Sequence, residues 1–320
     1  MSEFSLITEY FSQQKSVSEN VLLGIGDDAA IVDVSRQTRL AVSVDTLNAG
    51  VHFPENTSPY DIGWKSLAVN LSDMAAMGAK PLYFTLAISM PEENSQWLAD
   101  FSRGLFAIAS QYNVELIGGD TTRGPLSISV HITGELNEQH ATLRSAAKIG
   151  DLIYVTGMLG EAALALKSLS EKLPLSGEEQ RILLEKLNRP TPRVKESLSW
   201  SHLVNAAIDI SDGLYADLSH ILEASKVGAN VCVSDLPVSR SYRWCQQNAN
   251  EYDLALTGGD DYELCLTIAP ENENSFLQKA DELNCRVTKV GEVCEGKQLT
   301  LLKSDGQAYS LQGRSYEHFY

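Results

Sequence analysis

The sequence predicts two domains, each layering helices on a mixed sheet in an α+β or α/β arrangement. Three observations predict it. The chain is 320 residues long, which suits two ordinary cores better than one. Helical three-and-four spacing and two-residue alternation take turns through both halves. Around Leu143–Gly150 the patterning resets before the apolar run Asp151–Thr156. The division therefore falls between 142 and 143, giving residues 1–142 and 143–320.

Within the first domain, Glu3–Phe11 brings Phe4, Ile7, Tyr10 and Phe11 near helical spacing and reads as a short helix. Strand-like runs follow at Val21–Ile25, Ala30–Val34 and Leu40–Val44. Ser58–Met77 is an amphipathic helix, with Trp64, Leu67, Ala68, Leu71, Met74 and Ala75 on one face. Gly78 ends it and Pro81 blocks continuation. Tyr83–Ser89 reads as a strand, and Pro91–Tyr112 as a helix turning Trp97, Phe101, Leu105 and Ile108 inward. Val114–Ile117 and Leu126–Leu136 are strands, the second alternating through Ile128, Val130 and Ile132. The second domain holds helices near Gly160–Ser170, Ser176–Asn188 and Leu214–Ser225, with the stiff connector Arg189–Pro192. Its strands fall near Ala207–Ile210, Asn230–Val233, Leu254–Leu256 and Tyr262–Ile268, and Asp281–Val293 mixes a helix end with a strand.

Composition narrows the partners. Forty-two acidic residues against 25 basic give a net charge of −17, which argues against nucleic acid. The five cysteines (Cys232, Cys245, Cys265, Cys285, Cys294) form no C-x-x-C pair and read as small buried hydrophobes of a reducing compartment. The start, MSEFSLITEYFSQQ, has acidic residues and no basic region ahead of an apolar stretch, so no signal peptide is visible. No apolar run is long enough to span a membrane, and a cytoplasmic location is expected.

Six short segments carry the chemistry: GIGDDAA (Gly24–Ala30), SVDTL (Ser43–Leu47), NLSDMAAMGAKP (Asn70–Pro81), IGGDTTRG (Ile117–Gly124), DISDG (Asp209–Gly213) and TGGDDYE (Thr257–Glu263). Each sets aspartate beside glycine or small residues, mostly where an apolar run meets a turn. Such carboxylates suit hard cations like Mg²⁺, which take oxygen ligands and bridge to phosphate. Asp27 and Asp28 are adjacent, so one of them faces a common cluster; an ordinary solvated turn explains the pair equally well. Asp45 ends a buried strand, an expensive place for an unpaired carboxylate, and Ser43 shares its face. Asn70 and Asp73 lie one helical turn apart, as ligands or as a polar stripe. The two glycines before Asp120 let backbone N–H groups approach a phosphate, yet no Walker A sequence occurs anywhere. Asp209 and Asp212 flank Ser211 ahead of a helix start, where a plain N-cap is the simpler alternative. For TGGDDYE the alternative is a tight hairpin turn. The histidines show no metal-type spacing, and no Ser-His-Asp or Cys-His arrangement is legible.

Taken in order, these motifs resemble the thiamine-monophosphate kinases, within the aminoimidazole ribonucleotide synthetase (PurM-like) superfamily of ATP-binding enzymes. The resemblance spans essentially the whole chain and includes GVHF (Gly50–Phe53), DLIYVTG (Asp151–Gly157), IDISDGL (Ile208–Leu214) and SYEHF (Ser315–Phe319). It implies ATP-dependent phosphorylation of thiamine monophosphate to thiamine diphosphate with several Mg²⁺ ions. It also implies a two-domain fold whose N-terminal sheet forms a dimeric barrel, hence a homodimer, and whose C-terminal α/β domain completes the active site. Carried over by position, Asp27, Ser43, Asp45, Asp73, Asp120, Asp209 and Asp212 match the metal shell. Gly119, Asp120, Arg144 and Ser211 match ATP contacts, and His52, Asp260 and Tyr316 match the thiamine phosphate pocket. Val44 stands where relatives often carry Thr, and Asp260 where they often carry Glu. Two alternatives remain at this stage: another PurM-like ATP-dependent enzyme, and a non-catalytic Mg²⁺- or nucleotide-binding module. Against the first, the earliest cysteine is Cys232 and the chain ends EHFY, without a cysteine-bearing tail.

Overall fold

A computed structural model describes residues 7–12, 20–23, 31–33, 39–136, 141–246 and 251–315. The chain divides into two compact units, Met1–Met74 with Ala79–Gln139, and Ala75–Gly78 with His140–Tyr320.

In the first unit a π-helical turn (Ile7–Phe11) and a small antiparallel pair, β1 (Val21–Leu23) and β2 (Ile31–Val32), precede the main elements. Those are β3 (Arg39–Asn48), α1 (Pro59–Met77), β4 (Lys80–Met90), α2 (Ser95–Tyr112), β5 (Glu115–Arg123) and β6 (Ser127–Leu136). The four strands form one sheet in the order β3-β6-β4-β5. β6 runs antiparallel to both neighbours, whereas β4 and β5 are parallel and need the crossover that α2 supplies. α2 begins where the Asn94 side chain accepts the Trp97 N–H at 3.0 Å and ends at Asn113 in the left-handed region. Along β3 the pleat separates two faces: Ala41 and Leu47 are buried, while Val42 and Val44 are 58% and 60% exposed. α1 and α2 meet backbone to backbone, since a methyl at Gly63 would strike the Phe101 carbonyl and one at Gly104 the Tyr60 carbonyl.

The second unit runs β7 (Leu152–Thr156), α3 (Glu161–Ser170), α4 (Gly177–Asn188), α5 (Val194–Trp200), β8 (Ala206–Asp209), α6 (Leu214–Ser225) and β9 (Gly228–Cys232). It continues through α7 (Arg240–Cys245), α8 (Asp253–Thr257), β10 (Leu264–Ile268), α9 (Glu273–Glu282), β11 (Val287–Cys294) and β12 (Leu299–Leu302). Its six strands lie in the order β12-β9-β11-β7-β10-β8, antiparallel except for β12 with β9. β7 and β10 are buried along their whole length because helices cover both faces. Ile153 and Val155 join the core made with Leu164 of α3 and Leu218 and Ile221 of α6. Tyr154, pointing the other way, stacks edge-on against Phe276 of α9, which in turn meets Trp200 of α5.

Four expectations change. The strand expected at Leu40–Val44, buried and ended by Asp45, is the edge strand β3, which has one exposed face and runs on past Asp45 to Asn48. Leu254–Leu256 is not a strand but lies in the one-turn helix α8, where Thr257 Oγ1 donates to the Asp253 carbonyl. Three apolar residues in a row do not distinguish the two periods. Pro81 sits within β4 rather than ahead of it, and IGGD continues β5 rather than leaving it. The parallel neighbour β4 keeps β5 extended through both glycines to Arg123.

Candidate active site

In the first unit, β3 and α1 present the clearest pair. The Ser43 hydroxyl donates to Asp73 Oδ2 at 2.5 Å, and Asp45 lies one pleat further along on Ser43's face. One turn before Asp73, Asn70 is fully buried; its amide donates to the Ser66 carbonyl, and its Oδ1 has no hydrogen-bond partner among the described residues. His52 stands in a tight turn after β3. Its Nδ1 accepts the Asn48 N–H at 3.0 Å, and its carbonyl accepts from Lys65 Nζ at 3.1 Å. With Nδ1 so engaged, the neutral ring carries its hydrogen on Nε2. Lys65 is 2% exposed and did not figure in the reading of the sequence; a lysine inside an apolar helix face was the available signal.

Sheet register fixes where Gly119 and Asp120 stand. Asp45 pairs with Val130, Val130 with Leu86, and Leu86 with Gly119, while Asp120 heads the next row through Ala87 and Ser129 to Thr46. Asp45 and Asp120 therefore sit on opposite edges, three strand spacings or about 14 Å apart, too far for one ion to hold both. Gly119 is required by close approach: a side chain there would run into the Leu86 carbonyl.

In the second unit, two segments fifty residues apart in sequence lie side by side. β8 and β10 pair Asp209 with Leu264, and the pairing continues past the strands. Ile210 N–H donates to the Glu263 carbonyl at 2.8 Å, Tyr262 N–H to the Ile210 carbonyl at 2.8 Å, and Asp260 N–H to the Ser211 carbonyl at 2.9 Å. DISDG and GGDDYE thus form one surface. The backbone there is strained, with Asp260 and Tyr262 in the left-handed region at φ 69° and 48°, a conformation that clusters at functional sites. Asp209 is buried at the strand end, and Asp212 and Asp260 are partly exposed.

Two further residues hold this surface and were missed in the sequence. Asp217, on α6, accepts the N–H groups of Ser211, Asp212 and Gly213. Burial first, then the charges of Asp209 and Asp212, push its carboxyl up to about 8. Glu263 accepts a two-pronged contact from Arg193, Nε at 2.6 Å and Nη2 at 2.5 Å, and the Thr156 hydroxyl at 2.6 Å. Asp261, next in the chain after Asp260, accepts the Gly160 N–H ahead of α3 at 2.8 Å. The residue is half-buried but its carboxyl group is enclosed, and burial raises its pKa. It serves the start of a helix rather than the surface.

Arg144 is exposed on a 3₁₀ turn, Arg144–Ala146. Asp27, Asp28 and Tyr316 lie outside the described residues. All five cysteines are free; Cys265 and Cys285 are buried as expected, the other three only partly. Among the described residues, no three acidic, His or Cys groups converge to hold one metal ion. No helix among the described residues is long and apolar enough to cross a membrane.

Comparison with known proteins finds relatives along nearly the whole chain. Residues 26–136 match the AIR synthase related protein N-terminal domain, and residues 148–303 its C-terminal domain. The thiamine-monophosphate kinase of Buchnera aphidicola subsp. Acyrthosiphon pisum is 43% identical over 319 residues, 99% of each chain. A crystal structure of thiamine-monophosphate kinase from Stenotrophomonas maltophilia superposes with a TM-score of 0.84 at 44% identity, covering 91% of this chain and 92% of that one. AaThiL, solved in complex with AMPPCP and TMP, gives a TM-score of 0.79 at 30% identity, with 94% and 93% covered.

Proposed function

This chain belongs to the AIR synthase related proteins and, within them, to the thiamine-monophosphate kinases; from that premise we infer how its own residues serve the reaction. It is a kinase that transfers a phosphoryl group from ATP to thiamine monophosphate, giving thiamine diphosphate. The observation that carries the residue assignment is the joining of DISDG to GGDDYE on one surface, where the Asp260 N–H donates to the carbonyl of Ser211, between Asp209 and Asp212 in the chain.

Donor and acceptor are both polyanions, so their repulsion is the chief barrier to transfer. Mg²⁺, held at Asp45 and Asp73 with Ser43, at Asp120, and at Asp209 and Asp212, would neutralise that charge and align the phosphates. Asp27 joins this set by position. Gly119 leaves bare backbone for a phosphate, Ser211 offers a hydroxyl, and Arg144 a planar fork. His52 would donate from Nε2 to the acceptor phosphate, a role its engaged Nδ1 favours. Asp260 and the ring of Tyr316 suit the cationic thiazolium of the substrate.

The acceptor phosphate has a second pKa of about 6 and is mostly deprotonated at neutral pH, so no general base is needed. Transfer is therefore direct, without a phospho-enzyme. Residues 1–142 carry the first group of ligands and residues 143–320 the second. The apolar outer face of the edge strand β3, with Leu40, Val42 and Val44 exposed, supports a homodimer formed through this sheet. We place the enzyme in the cytoplasm.

The test is ADP release from ATP and Mg²⁺ with and without thiamine monophosphate. Release that depends on the acceptor supports the assignment. Nucleotide binding with no acceptor-dependent release would mean a binding module, and a stable phosphorylated protein formed from ATP alone would refute direct transfer.

A further inference from the structure

We propose that Asp217 is a positioning residue, which fixes the Ser211–Gly213 turn and so aims Asp209 and Asp212 before a cation or nucleotide arrives. The proposal rests on reading those two residues as cation ligands.

One oxygen, Asp217 Oδ2, receives three successive backbone N–H groups: Ser211 at 3.0 Å, Asp212 at 3.1 Å and Gly213 at 3.1 Å. Three donors converging on one acceptor atom need a carboxyl oxygen held at that place, which neither alanine nor a shorter hydroxyl side chain supplies. α6 has no side-chain cap of its own, because the residue before Leu214 is Gly213. Asp217 reaches back from the first turn to satisfy the amides that lead into the helix. Its place is rigid: the carboxylate is 2% exposed, and Leu214, Leu218, Ile221 and Leu222 lock α6 into the core. The turn is held from the other side too, since the Ser211 carbonyl accepts the Asp260 N–H. With its backbone fixed at both ends, the turn leaves the Asp212 side chain partly exposed and Asp209 at the strand end. Asp217 itself points into the protein with the contacted oxygen fully used, so it acts through the turn and not as a ligand.

The test compares wild type with Asp217→Asn and Asp217→Ala, and uses Asp212→Asn as the ligand control. Amide exchange at 211–213 is measured in the ligand-free protein, and the affinity of AMPPCP with Mg²⁺ by calorimetry. In wild type the three amides exchange slowly. In Asp217→Ala they exchange at least 100-fold faster while β10 amides keep their protection, and Mg²⁺–AMPPCP affinity falls at least tenfold. Asp217→Asn, which keeps one acceptor oxygen and the shape, falls between the two. Should the alanine variant not fold, the asparagine variant decides by the same two readouts. Amides 211–213 that exchange freely in wild type, or affinities within twofold of wild type in the Asp217 variants, overturn the proposal. Unchanged affinity in Asp212→Asn instead removes the ligand reading, whatever the amides do, and the proposal falls with it.

Discussion

Substituting Glu263 by Gln tests the support beneath the catalytic surface. Glu263 and Arg193 are 11% and 17% exposed at their side chains and meet through two short contacts. Burial pulls the Arg193 guanidinium toward neutrality, and the Glu263 carboxylate more than reverses this, leaving its pKa raised. Glutamine keeps the shape but loses the charge, leaving Glu196 at 3.6 Å as the remaining anion beside Arg193. Removing one partner of a buried pair costs about 3–5 kcal/mol, because the other charge stays enclosed. Residual exposure and Glu196 place this case at the low end, about 3 kcal/mol.

That loss corresponds to about a 150-fold rise in the open population. Native-state amide exchange of Leu264–Ile268 reads it directly, since β10 runs on from Glu263 as a fully buried interior strand, paired on both sides. The most protected of these amides are expected to exchange about 150-fold faster in Glu263→Gln. A change below about fivefold, under 1 kcal/mol, would refute the reasoning. The double variant Arg193→Met with Glu263→Leu separates pairing from packing. Replacing both charges by apolar groups is expected to restore most of the protection, so the two effects are strongly non-additive. Additive losses would mean that the two side chains act as independent packing elements.

Three other outcomes are expected. Asp45→Asn and Asp212→Asn each abolish acceptor-dependent ADP release with the circular dichroism spectrum unchanged; near wild-type rates at saturating Mg²⁺ would overturn their assignment. Ser43→Ala frees the Asp73 carboxylate it now holds at 2.5 Å, so the Mg²⁺ needed for half-maximal rate rises about 10- to 100-fold while the rate at excess Mg²⁺ recovers. Gly119→Ala forces a methyl against the Leu86 carbonyl and destabilises the first unit by about 1–3 kcal/mol, read as a lower urea midpoint.

Much of this was legible because the period of the apolar residues and the site chemistry coincide. Ser58–Met77 announced α1 to within one residue, and the alternation of Ser43 and Asp45 placed them on one face, where the sheet keeps them. What the sequence hid is contact at a distance. Nothing near Glu263 signals that its partner is Arg193, seventy residues earlier, beside the proline connector. Asp217 reads locally as an acidic residue in the first turn of a helix, a common preference that conceals its three backbone donors. Asp260 and Asp261 are neighbours of equal standing in sequence, and nothing there signals the left-handed turn at Asp260 or the bond from the Gly160 N–H to Asp261.

Asp45 and Asp120 stand three strands apart in the first unit, and Asp209 and Asp212 flank a turn in the second. A net charge of −17 makes an isolated polyanion an unfavourable guest. Pairs of carboxylates hold a divalent cation weakly by themselves and strongly when phosphate oxygens complete its shell. On the proposed assignment, cation and phosphate bind as one unit, each supplying what the other lacks. Residues such as Asp217 and Glu263 contribute no ligand; they keep the separated carboxylates at fixed positions, so that the phosphates do not have to reorganise the protein on arrival.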